Sequence, residues 1–115
     1  MTLNDIVQKT IESQLKQADV EAFCEQEQIT PAIFCDEFTR HVATGYLNES
    51  FNYEAADIAI AGLFCHFSPF VPEFTRSVFD CFDEGEYQRT KGSNADEIAR
   101  PLIKELLKDK CEPTS

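Results

Sequence analysis

Basic residues are scarce in this chain: Lys and Arg number 10 against 21 Asp and Glu, a net charge of -11 over 115 residues. A polyanion of that size is repelled by nucleic acid and by anionic lipid, so neither is an expected partner. Long apolar runs are also missing. The longest, AADIAIAGLFCHF (55–67), contains Asp57 and falls short of the ~20 residues that a membrane span requires. The opening MTLNDIVQKTIESQ has no apolar core of a secretory leader. Trp is absent, which leaves ten Phe to supply much of the core volume. Among the five Cys there is no CxxC pair, and Cys24, Cys35, Cys65 and Cys81 sit beside Phe or within apolar runs, as reduced core thiols do. A reducing cytosol is the expected compartment.

Catalytic and metal motifs are lacking too. No G-x-S-x-G, P-loop, G-x-G-x-x-G, H-E-x-x-H or Glu-x-x-His occurs. The stretch DCFDEGEYQRTK (80–91) places Gly85 at the sixth position of a calcium loop. It fails as one, because Phe82 stands where the third ligand belongs and Lys91 where a bidentate Glu is needed. Cys65 and His66 are neighbours, and adjacent residues on a helix point apart, which suits joint zinc ligation poorly. The abundance of carboxylates in an acidic chain is no sign of acid/base catalysis. The expectation is a non-enzyme with no cofactor and no metal.

What is present is helical periodicity. Leu3, Ile6, Val7, Thr10, Ile11 and Leu15 fall on one stripe, with Thr2 or Asn4 available as cap. Asp19 is placed to cap a short second helix carrying Val20, Phe23 and Cys24 inward. Thr30-Pro31 is a start signal for a helix lined by Phe34, Phe38, Val42 and Tyr46, and Asn48, Glu49 and Ser50 read as a turn. Asn52 can cap the next helix, which is apolar nearly all round and is therefore expected to be central. The segment Ser68 to Pro72 stops it. Pro72 opens a helix with Phe74, Val78, Cys81 and Phe82 inward, which Gly85 is placed to close. A polar loop is expected from Glu86 to Gly92. Ser93 and Asp96 then have capping-box spacing before Ile98, Leu102, Ile103, Leu106 and Leu107, and Pro101 predicts a kink or a restart. The tail from Cys111 to Ser115 should fray. The expected architecture is all-α: a compact single-domain bundle of five or six helices over residues 1–115.

The charge is uneven. Residues 17–86 hold 14 carboxylates against only Arg40 and Arg76, a balance of -12, so essentially the whole excess lies there. Asp80, Asp83, Glu84 and Glu86 are crowded, and a helix closing at Gly85 would set them at its disfavoured C-terminal end. Like charges at helical spacing cost a few tenths of a kcal/mol per pair. A cationic partner would convert that repulsion into steering. Asp36 and Glu37 lie outward on the Thr30 helix, and Glu49, Glu54 and Asp57 surround or follow the turn, so these nine acids form the candidate partner-binding set. Tyr46, Phe51 and Tyr53 flank the same turn, as interface aromatics or as packing at the bundle end.

A short, strongly acidic, helical chain without a catalytic signature resembles the bacterial immunity proteins of contact-dependent inhibition and related polymorphic-toxin systems. The resemblance covers the whole chain and rests on size, charge and class. It implies a cytoplasmic monomer that binds a basic toxin domain, typically a nuclease, and covers its active site or nucleic-acid groove. Two other classes fit the same charge: an acidic DNA-mimic regulator, and an adaptor subunit that exposes an apolar patch and self-associates. Without a partner, the acids simply keep the protein soluble.

Overall fold

Among the described residues six helices form from these signals, and each start is set by a short-range hydrogen bond or by proline. The structure is a computed structural model describing residues 1–67 and 71–111, with side chains to residue 108. Helix α1 (Leu3–Ile11) begins with a capping box: the Thr2 hydroxyl accepts the Asp5 amide (3.2 Å) and the Asp5 carboxylate accepts the Thr2 amide (2.9 Å). Leu15 lies beyond this helix but packs against the core. In α2 (Gln17–Glu27) the cap position is Lys16. Asp19 does not cap; it sits one turn in, and its carboxylate accepts the Lys16 amide (3.1 Å).

Helix α3 (Pro31–Leu47) starts at Thr30, whose hydroxyl accepts the Ile33 amide (3.2 Å), with Pro31 at the first position. Phe34, Phe38, Val42 and Tyr46 are all fully buried along it. Each such aromatic contributes about 1.5–3 kcal/mol through burial. Asn52 caps α4 (Tyr53–Phe67) by accepting the Ala55 amide (2.8 Å). Pro72 is the cap of α5 (Glu73–Thr90). Of the segment expected to redirect the chain, Ser68, Pro69 and Phe70 lie outside the described residues.

Two expectations about α5 fail together. Gly85 does not close the helix, and the polar loop expected from Glu86 to Gly92 is mostly helix: α5 continues to Thr90, and a tight turn through Gly92 (φ 92°) reverses the chain. Gly85 is buried mid-helix because α6 (Ala95–Cys111) lies against it. A β-carbon there would stand 2.8 Å from the Tyr53 hydroxyl and 3.1 Å from the Ala95 carbonyl oxygen. Only glycine lets the α5–α6 hairpin close so tightly. At the head of α6 Asn94, rather than Ser93, accepts the Asp96 amide (2.9 Å). Pro101 lies inside α6 without interrupting it, so the helix does not restart there. Beyond Cys111 the expected frayed tail lies outside the described residues.

A single hydrophobic cluster draws on all six helices, and no strand occurs among the described residues. Its centre is α3, which touches α1, α4, α5 and α6. The expectation that α4 would be the central helix is therefore corrected. One side of α4 meets α1, α3 and α5, but Ile58 is 44% exposed and Cys65 is exposed on the other. The helix is apolar all round, yet neighbours cover only part of its circumference. No helix is long and apolar enough to cross a membrane among the described residues.

Candidate functional site

Helices α4 and α5 run antiparallel, and their outer seam carries most of the candidate acids. Phe64 on α4 stacks on Phe79 of α5, centroids 4.3 Å apart and planes 21° apart. Two turns earlier on α4 stands Asp57, and two turns later on α5 stands Glu86, the same faces at seven-residue spacing. The seam thus leads from stacked rings to facing carboxylates. Its floor is fixed by Tyr53, whose buried hydroxyl donates to the Phe82 carbonyl (2.6 Å).

Asp57 is half-buried, and its carboxyl is held above the usual carboxylate range. Desolvation is the largest cause, followed by the negative charges of Glu86 and Asp83. It makes no hydrogen bond or ion pair among the described residues. Glu86 pairs with Arg89 on its own helix (3.3 Å), an exposed i,i+3 contact of little energetic weight. Asp80, Asp83 and Glu84 are exposed on α5, and Gln88 donates to Glu84 (2.9 Å). Because α5 extends to Thr90, these acids are mid-helix. The unfavourable end-of-helix dipole expected for them does not act, and the last turn carries Arg89 instead.

The nine candidate acids therefore divide. Asp57, Asp83 and Glu86 interact electrostatically across the seam. Glu54 lies one turn before Asp57, and Asp80 and Glu84 extend the set along α5. Asp36, Glu37 and Glu49 do not join them. Asp36 is exposed on α3, where its charge adds to the burial that raises the Cys35 thiol. Glu37 lines a separate cleft of about 500 Å³ with His41 and Phe51, and Glu49 sits at the α3–α4 turn beside Asn52 and Arg100. The aromatics flanking that turn are core: Tyr46, Phe51 and Tyr53 are 0, 9 and 7% exposed.

A second polar cluster escaped sequence reasoning. The Tyr46 hydroxyl donates to Asp96, and the Arg100 guanidinium lies over the Tyr46 ring (4.8 Å) while donating to the Leu47 carbonyl (3.0 Å). Desolvation, then the Asp96 hydrogen bond, pushes the Tyr46 phenol well above its ordinary value. These contacts clamp α6 to the end of α3, and no local sequence signal links residues so far apart.

Burial pushes the thiols of Cys35 and Cys81 up to about 12 and about 11, so neither is a nucleophile near neutrality. Cys65, expected in the core, is exposed. Also unforeseen is a groove of about 410 Å³ where α4 faces the end of α1, lined by Leu15, Asp57, Ile58, Ala61, Cys65 and other residues. Its one sequence signal is the all-round apolar character of α4. No group of three His, Cys, Asp or Glu side chains is arranged to hold a metal among the described residues. Compared with known proteins, the chain matches no family model, no curated protein and no solved structure.

Proposed function

We propose that this protein is an immunity-type inhibitor that binds a basic toxin domain, of the nuclease kind, and covers its active site or nucleic-acid groove through the α4–α5 seam. The observation that supports the reading is Asp57: a half-buried carboxylate that faces Glu86 and Asp83 and makes no ion pair among the described residues. Like charges brought together in this way work against folding, by a few tenths of a kcal/mol for each exposed pair and more where solvent is excluded. A Lys or Arg from a partner placed among them is attracted to all three carboxylates at once and offsets their mutual repulsion. The remaining acids of α5 then steer the encounter, which raises the on-rate and rejects anionic competitors.

The reading is tested by looking for a basic nuclease domain encoded beside the gene and mixing that domain, once purified, with this protein, following nucleic-acid cleavage and affinity; a neighbourhood without such a domain counts against the reading. Stoichiometric addition should abolish cleavage. Asp83→Lys combined with Glu84→Lys should raise Kd by at least about thirtyfold, on the order of 1–3 kcal/mol per reversed charge. Both positions are exposed, so the fold is retained. Undiminished cleavage, or an unchanged Kd in the double variant, rejects the proposal.

A further inference from the structure

The groove on α4 and the anionic seam are one continuous surface, because Asp57 belongs to both. It lines the groove beside Ile58, and it feels the charges of Asp83 and Glu86 across the seam. From this juxtaposition we infer that the groove receives an apolar anchor side chain of the same basic partner, with the partner's Lys and Arg residues lying over the seam. The inference rests on the inhibitor reading above and adds the part that provides specificity.

Several features of the groove suit an aliphatic or aromatic anchor. Ile58 and Cys65 are two turns apart on one side of α4, with Ala61 between them, so the wall is apolar and low. Gly62 brings α1 close: a β-carbon there would lie 2.7 Å from the Thr10 methyl, and the close approach forms the groove's floor. Leu15 closes the far side and is itself packed on the core. A pocket of about 410 Å³ accommodates one large side chain with its neighbours, the size at which a buried anchor dominates an interface.

Charge selects the occupant. A second copy of this chain docked on this surface by two-fold symmetry would bring the same anionic patch to both sides of the interface. An anionic lipid surface would meet the same repulsion. A cationic segment with one apolar face meets neither obstacle, and only such a segment uses both parts of the surface.

The experiment compares two synthetic probes of equal length, a helical peptide of leucine and lysine with one apolar face and an oligolysine. Binding to the full chain is measured by calorimetry at physiological salt, with amide shifts mapped by NMR. The amphipathic peptide should bind about tenfold more tightly, the worth of one buried aliphatic side chain. Its shifts should include residues 58, 61 and 65, whereas oligolysine should perturb only the acids of α4 and α5. Ile58→Asn, at an exposed position, should erase the tenfold advantage and leave oligolysine binding unchanged. Equal binding of the two peptides, or an advantage that survives Ile58→Asn, overturns the groove assignment while leaving the basic partner standing. Failure of both peptides to bind removes the seam and the groove together. Self-association that Ile58→Asn abolishes would assign the groove to a second copy and overturn the inference.

Discussion

Asp57 on α4 and Glu86 on α5 face one another with no cation between them among the described residues, and the cost falls on folding. Replacing Asp57 with Asn removes the charge and keeps the shape. Asp57 has its carboxyl raised in the fold, so its protonated form is the one the folded state favours. The stabilisation is fully present below the unfolded value of about 4 and disappears as pH rises through the folded value. Asp57→Asn should therefore be more stable than the natural chain at neutral pH, by a few tenths of a kcal/mol for each like-charge contact relieved. The difference should vanish in acid, once Asp57 itself is protonated and carries no charge to remove. Urea unfolding at a series of pH values measures both; a destabilised variant at neutral pH would show that the carboxylate has a cation partner after all.

Gly85→Ala gives the opposite result from helix propensity. In an open helix the change stabilises by about 1 kcal/mol. Here the added methyl meets the Tyr53 hydroxyl, which is tied to the Phe82 carbonyl, and the Ala95 carbonyl, which is main chain. Neither can yield cheaply, and overpacking of this sort costs about 1–3 kcal/mol. The variant should melt at a lower temperature, with amide exchange accelerated first in α5 and α6. A higher melting temperature would contradict the observed closeness of the hairpin.

Thr39 and Thr75 bury their hydroxyls against each other, 2.8 Å apart, and the Thr75 hydroxyl also reaches the Cys35 carbonyl (3.4 Å). Thr39→Val should cost about 0.5–1.5 kcal/mol, because the Thr75 hydroxyl loses one bond and keeps the one it donates to the Cys35 carbonyl. Thr39→Val with Thr75→Val removes both groups and should cost less than the sum of the single changes. Additive losses in a double-mutant cycle would show that the pair is not coupled.

Most of the helix starts and the core-facing stripes were legible in the sequence as short-range signals. Thr30-Pro31 and Asn52 open their helices as expected because a cap acts on an amide three residues away. Phe34, Phe38, Val42 and Tyr46 line the core face because their spacing is itself the helical period. Gly85 was misread for a physical reason. Glycine after an apolar stripe has the pattern of a helix end, but its requirement here comes from Tyr53 and Ala95, which only the folded chain brings near. Asp19 and Ser93 each missed their roles narrowly, since Lys16, Asp19, Asn94 and Asp96 offer competing donors and acceptors within one turn. The acidic set was visible as composition. Its division into Asp57, Asp83 and Glu86 on one seam, with Asp36, Glu37 and Glu49 elsewhere, depends on the antiparallel pairing of α4 and α5. That pairing has no local signature.

The distribution of the thiols has a practical consequence. Cys24, Cys35 and Cys81 are enclosed, whereas Cys65 opens to solvent in the wall of the groove. With Cys111 replaced by Ser, an alkylating dye or spin label should react at Cys65 and spare the enclosed three. The native chain thus supplies its own reporter position, and the arrival of a binding protein at α4 can be followed in real time by the brightness or mobility of a probe attached there.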